Sequence, residues 1–223
     1  MGIPTIEELF DLSYTAAAPL LRSVRYPHEA LPNIASFVRE LGKTLSKDFY
    51  DQVDEDVYIA KSAKVAKTAL IEGPTVISEN AEIRHCAYIR GSALIGKGAV
   101  VGTSSEIKNA ILFDLVQVPH YNYVGDSILG YRAHMGAGAI ASNVRSDKKN
   151  LVLRADGEIL ETNLRKIGTF LGDGAEIGCN AVLFPGSIVG RGAIVYPLTR
   201  VRGTVPPNSI CKDTGVFVKR ITE

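Results

Sequence analysis

The chain has 223 residues, and 25 Lys and Arg against 24 Asp and Glu leave a formal charge of +1. That length suits one domain with a small appendage, and the 46% apolar content excludes general disorder. The charge balance argues against a nucleic-acid partner, and no run reaches the ~18 apolar residues of a membrane span. The N-terminus MGIPTIEELF lacks the basic and apolar regions of a secretory signal, and three cysteines (Cys86, Cys179, Cys211) show no metal-ligand spacing. The expectation is a cytoplasmic protein of a reducing compartment, without a metal or a membrane partner.

Residues 1–50 read as a helical cap. Thr5 with Glu8 makes a capping box ahead of Ile6, Leu9, Phe10 and Tyr14. Asn33 is placed to cap a second helix over 34–45, with Phe37, Val38, Leu41 and Leu45 on one side. An open β-structure exposes unpaired edges, which such helices would cover.

Residues 51–223 follow a different rule. From Ile59 an aliphatic residue recurs every six positions: Val65, Ile71, Ile77, Ile83, Ile89, Ile95, Val101 and Ile107. A period of six leaves the 3.6-residue helical phase at once and fits short strands separated by tight corners. The pattern resumes at Val124, Leu129 and Met135, and again from Leu171 to Val201. Glycines follow the aliphatic position by one residue (Gly102, Gly136, Gly178) or by three (Gly98, Gly138, Gly174, Gly192), where corners need unusual backbone angles. The repeat is interrupted over 143–168. There, runs at 151–154 and 158–161 flank Ala155-Asp156-Gly157, a hairpin signal in an excursion of the kind that carries function.

Over roughly 57–210 this pattern resembles the hexapeptide repeat of the left-handed parallel β-helix family. The resemblance implies a mainly β fold of triangular coils, with the helical cap and the hairpin excursion appended. Residues 18 apart then stack. Arg90 and Lys108 fall side by side, about 4.8 Å apart, which is unfavourable unless something neutralises them. Glu72, one coil earlier, and a phosphate-bearing ligand are equally good answers. Of the four histidines, His28 and His85 read as packing or surface residues. His120 and His134 lie where the repeat is irregular, which invites a functional reading.

The segment HYNYVGD, residues 120–126, resembles the H-x-x-Y-x-G-D stretch in the acetyltransferase half of bifunctional N-acetylglucosamine-1-phosphate uridyltransferases. The resemblance implies His120 as general base, with Tyr123 as a substrate contact. VGTSSEIKN brings Lys108 onto the family's sugar-phosphate lysine, and Arg90 onto its phosphate-contacting arginine. GAGAIASN is similar to GAGT-x-x-x-N, which implies Asn143 as a substrate residue and Ala137 as a coenzyme contact. Lys149 matches a further substrate lysine. Cys179 replaces a serine beside the thioester, with Pro197 one coil away, so this pair is expected to line the pantetheine groove. His134 departs from the family's asparagine.

The resemblance implies acetyl transfer from acetyl-CoA, as co-substrate, to the amino group of a hexosamine 1-phosphate, glucosamine or galactosamine 1-phosphate. Backbone N–H groups of Gly136-Ala137-Gly138 are candidate oxyanion donors, and Arg202 or Lys212 candidate contacts for the CoA phosphates. A homotrimer with sites between neighbouring prisms is expected. The phosphate loop L-x-x-G-x-G-T-R does not occur, so pyrophosphorylase activity is not expected. The competing reading is a non-catalytic sugar-phosphate or nucleotide-sugar binding protein. A γ-class carbonic anhydrase fits poorly, because that family's zinc histidines include two only five residues apart, unlike His120 and His134.

Overall fold

In a computed structural model that describes residues 2–220, each six-residue repeat becomes a short strand ending in a corner. Three such strands make one coil of a left-handed β-helix, and equivalent strands of successive coils stack in parallel on three faces. The first face contains Val57–Ala60, Thr75–Ile77 and Ala93–Ile95; the second Lys64–Val65, Glu82–Ile83 and Val100–Thr103; the third Leu70–Ile71 and Tyr88–Ile89. The long strands Glu106–Leu112 and Tyr123–Leu129 turn the corner from the third face into the first.

The register follows the sequence period. Ile59 pairs with Ile77, and Ile77 with Ile95, at a step of 18. The step tightens to 17 where Val101 meets Val118 and Ile107 meets Val124, which is the irregularity around His120. Ala141 pairs with Leu183, 42 positions on, so the excursion leaves the stack without breaking it. The corner three places after the inward aliphatic takes positive φ in coil after coil, at Asn80, Gly98, Gly138, Asn180 and Gly192 among others. Only glycine adopts that region without strain, and Asn tolerates it better than most residues.

The inward aliphatics form the core. Ile83, Ile89, Ile95, Ile107, Val124 and Met135 are all at most 1% exposed, whereas Val65, in the first coil, is 36% exposed because no described strand pairs with it on its outer side. Antiparallel strands close two of the edges: Tyr50–Asp54 pairs with Val57–Ala60, and Ser209–Asp213 with Val216–Lys219. Such pairing blocks the addition of further strands.

Four helices precede the coils: α1 (Ile6–Leu9), α2 (Ala18–Arg22), α3 (Pro27–Ala30) and α4 (Ile34–Thr44). The Thr5–Glu8 capping box is present, although α1 is a single turn. Asn33 does not cap α4 with its side chain, contrary to expectation. The chain enters α4 through the 3-10 turn Leu31–Asn33, so Asn33 already has near-helical angles (φ −101°, ψ −3°). Ile34 and Val38 of α4 are fully buried, and the helix lies across strands 75–77, 93–95 and 110–112. Phe10 packs on Phe113 at 5.2 Å and Tyr14 stacks on Tyr131 at 3.7 Å. The helical segment therefore runs along the side of the prism instead of over its open end. Among the described residues no helix is long and apolar enough to cross a membrane.

The excursion contains the expected hairpin, shifted by one residue: Val152–Ala155 pairs with Glu158–Glu161. Asp156 and Gly157, both at positive φ, form the two-residue turn. Leu151, Leu153 and Ala155 are buried, so the hairpin packs against the prism.

Candidate functional site

At the corner between the second and third faces, backbone hydrogen bonds stack five residues of successive coils. Tyr121 N–H donates to Thr103 O (2.9 Å), Gly138 N–H to His120 O (3.0 Å), Asn180 N–H to Ala137 O (2.9 Å) and Leu198 N–H to Cys179 O (3.0 Å). Thr103, His120, Ala137, Cys179 and Pro197 thus form one column, with a coil spacing of about 4.8 Å. The glycines before them let the coils approach: a Cβ on Gly136 would lie 2.7 Å from Cys179 N, and one on Gly178 would strike the Pro197 backbone. His120, Cys179 and Pro197 are exposed.

The corner beneath His120 is fixed from below. Its own N–H donates to Asn122 Oδ1 at 3.0 Å, and the buried Asn122 amide donates to Gly136 O (2.8 Å) and Ala139 O (3.0 Å). The imidazole itself faces outward and has no hydrogen-bond or ionic partner among the described residues. The N–H groups of Gly136 and Gly138 are committed to Ile177 O and His120 O. Of the three glycine-corner amides, only that of Ala137 is left without an acceptor among the described residues.

The third face carries the remaining polar residues. The register that pairs Ile89 with Ile107 sets Arg90 beside Lys108, as the 18-residue step predicts. Both cations hold carboxylates: Arg90 Nη1 lies 2.7 Å from Glu106 Oε1, and Lys108 Nζ 3.0 Å from Asp126 Oδ1. Glu72, one of the two answers weighed for neutralising Arg90, accepts from the Tyr88 hydroxyl at 2.8 Å. Glu106 is the nearer carboxylate because it points outward on the adjoining strand, two residues before Lys108.

Asp126 was missed as a site residue. Its side chain is 5% exposed, and it accepts from Lys108, from Asn109 Nδ2 (2.9 Å) and from Asn143 Nδ2 (2.6 Å). Asn143 also donates to the Tyr123 hydroxyl at 3.0 Å. Burial first, then Asp126 and Glu106, push the Tyr123 hydroxyl up, so it stays protonated at neutral pH. The signal for Asp126 was present, since it closes the HYNYVGD stretch.

The structure does not bring every expected residue to this place. Lys149 is exposed in the excursion, and only its backbone N–H is bonded, to Asp147 (3.2 Å). Its neighbour Lys148 lines an adjoining cleft. Arg202 stands in the column of Lys108, Gly125 and Ser142, across the third face from Pro197, whereas Lys212 lies at the end of the Pro197 corner with its Nζ 6.0 Å from the Tyr196 ring. His134 Nδ1 pairs with Glu176 at 2.9 Å, and His85 bonds Thr68 (2.7 Å) and Cys86 (3.2 Å). Among the described residues no group of three or more His, Cys, Asp or Glu side chains is gathered to hold a metal.

The family model that matches, described as the GMPPB C-terminal domain, covers residues 71–156. A putative uncharacterized acetyltransferase, YaiX of Escherichia coli K12, is 30% identical over 156 residues, which are 70% of this chain and 68% of that protein. The chain belongs to the hexapeptide-repeat acetyltransferase family. A bifunctional sugar-1-phosphate nucleotidylyltransferase/acetyltransferase of Sulfurisphaera tokodaii is 33% identical over 96 residues, covering 43% of this chain and 24% of that protein. This member of the hexapeptide-repeat family thus matches about a quarter of the length of that bifunctional relative. A solved structure of a putative acetyltransferase from Bacillus cereus is 22% identical, covering 74% of this chain and 77% of that one, with a TM-score of 0.42.

Proposed function

We propose that this chain transfers the acetyl group of acetyl-CoA to the amino group of a hexosamine 1-phosphate. The observation that carries this reading is the column His120–Ala137–Cys179–Pro197 running beside the face of Arg90, Lys108, Tyr123 and Asn143. Acetyl-CoA would lie along the column, with Cys179 and Pro197 against its pantetheine arm. The sugar phosphate would lie across the face, its phosphate drawn to Arg90 and Lys108 and its ring held by Tyr123 and Asn143.

An ammonium is not a nucleophile, so a base must take a proton from it, and the outward-facing imidazole of His120 takes that proton. The nitrogen attacks the thioester carbonyl and a C–N bond forms. The oxyanion meets the unengaged N–H of Ala137. Collapse breaks the C–S bond, the proton held by His120 passes to the departing CoA sulfur, and the nitrogen gives up its second proton to solvent to leave a neutral amide. The products are the amide and free CoA, without a covalent enzyme intermediate.

Among the described residues His120 has no orienting partner, and a general base is ordinarily held by a third group. A neighbouring copy in a homotrimer would supply that group. The same observation also favours the second reading, a binding protein without acetyl transfer. Thiol release from acetyl-CoA with glucosamine 1-phosphate and galactosamine 1-phosphate separates the two. Acetyl transfer requires turnover by the wild type and a loss of about 10²–10⁴-fold in His120→Ala. Background rates from both proteins would leave the binding reading.

A further inference from the structure

Cys86 and His85 stand on the same corner as His120, nearer the N-terminal end of the prism. Ser104 N–H donates to His85 O (3.3 Å) as Tyr121 N–H does to Thr103 O (2.9 Å), so His85 lies two coils from His120 in one column. At a coil spacing of about 4.8 Å that separation is roughly 10 Å. Neither residue takes part in the proposed acetyl transfer.

Three side chains at this point supply a nucleophile, a base and a group that holds the base. Cys86 Sγ lies 3.2 Å from His85 Nε2, and Thr68 Oγ1 lies 2.7 Å from His85 Nδ1. The Cys86 N–H donates to the same Thr68 oxygen at 3.3 Å, which ties the threonine to both residues. With the ring proton on Nδ1 and directed at Thr68, the lone pair of Nε2 faces the thiol. The other cysteines lack this arrangement. Cys179 is exposed, but its Sγ has no hydrogen-bond partner among the described residues. Cys211 is buried, with its Sγ 3.3 Å from Asp213 O.

The thiol also adjoins a place for a ligand. His85 lines a cleft of about 430 Å³ on the second face, together with Lys64, Val65, Ala66, Ile83 and Arg84. That volume is in the range of small-molecule sites. Arg84 is held by Glu82 at 3.1 Å, whereas Lys64 is exposed and makes no ion pair among the described residues. The cleft therefore offers an apolar lining and one uncommitted cation beside the sulfur. Those features suit a small sulfur compound that carries a carboxylate.

We propose that Cys86 is a site of thiol–disulfide exchange with a low-molecular-weight, carboxylate-bearing disulfide. His85 Nε2 takes the Sγ proton, and the thiolate attacks one sulfur of the disulfide. A new S–S bond forms to Cys86 as the old one breaks, and the electron pair of the old bond leaves with the second sulfur. That sulfur takes the proton back from His85 and departs as a thiol. Cys86 is thereby oxidised to a mixed disulfide, while the departing half of the incoming disulfide is reduced. The carboxylate of the retained half is drawn to Lys64. The step needs neither acetyl-CoA nor His120, so it stands apart from the acetyl transfer proposed above.

Incubation of the full chain with glutathione disulfide at neutral pH, followed over time by peptide mass mapping, tests the site. Cys86 should gain glutathione at least about 10-fold faster than Cys179, Cys211 should stay unmodified, and dithiothreitol should reverse the change. His85→Asn should slow exchange at Cys86 by about 10-fold, to the rate of Cys179. Thr68→Val should slow it as well, and Thr68→Ser should keep the wild-type rate, because the hydroxyl holds the ring. Lys64→Glu should slow glutathione disulfide several-fold and speed cystamine, whose amines reverse the charge. The altered side chains are all exposed, and a thermal melt of each variant verifies its folding. Equal rates at Cys86 and Cys179, or an unchanged rate in His85→Asn, overturns the proposal. If Lys64→Glu acts alike on glutathione disulfide and cystamine, the carboxylate-bearing class of partner is overturned.

Discussion

With 5% of its side chain exposed, Asp126 receives Lys108, Asn109 and Asn143, and Asn143 in turn orients the Tyr123 hydroxyl. Asn109 also reaches Leu31 O at 3.4 Å, so the carboxylate joins the third face to the N-terminal segment. Asp126→Asn leaves Lys108 without its counter-charge and turns an amide N–H₂ toward amide donors. A buried charge pair that loses one partner costs about 3–5 kcal/mol, and Lys108, 27% exposed, recovers part of that from water. We expect a loss of about 2–3 kcal/mol, a fall in Tm of roughly 5–10 °C for a chain of this size. KM for the acceptor should rise as well, because Tyr123 and Asn143 lose their anchor. A melt within 2 °C of wild type would show that Asp126 does not bind these elements together.

At the scale of the element, the N-terminal segment holds His28, which is 6% exposed and whose buried Nδ1 lacks a hydrogen-bond partner among the described residues. Burial lowers the His28 pKa from 6.5, against a smaller opposing pull from Glu29. In the unfolded chain His28 takes up a proton near its ordinary value, whereas the folded chain resists until lower pH. Stability is therefore lost as pH falls below about 6.5, down to the folded-state value. Burial acts with the opposite sign on Asp173, raising its pKa, so its contribution grows on acidification. Comparison of wild type with His28→Leu isolates the histidine. The denaturant midpoint of the wild type should fall relative to that of the variant between pH 7.5 and 5.5. Parallel curves would mean that His28 is as accessible to protons in the folded chain as in the unfolded one.

Across the whole molecule, what could be read in advance is what repeats. Ile83, Val101 and Val118 are buried in one column for the same reason at each step, so the six-residue period announced both the prism and the stacking of Arg90 on Lys108. Contacts outside that period gave no such signal. Phe10 on Phe113 and Asn109 on Leu31 join residues far apart in sequence with no shared pattern, so the lateral packing of the helices was not legible. The excursion follows no period either, so stacking assigns no position there to the expected Lys149, which stands exposed beside Lys148. Stacked repeats hold one another only through nearest neighbours, so stability should decline toward an uncovered end. Lys64–Val65 and Leu70–Ile71 pair on one side only, with the next coil, whereas Val100–Thr103 is paired on both. Val65 and Leu70 are 36% and 55% exposed. Hydrogen exchange followed by mass spectrometry should find amides of 61–72 opening at least about 10-fold faster than those of 100–112. The antiparallel strand 50–54 protects only the first face, so amides of 57–60 should exchange more slowly than those of 64–71 within the same coil. Equal protection along all three faces of the first coil would show that its open edges are covered in solution, and the nearest-neighbour account of this end would then be wrong.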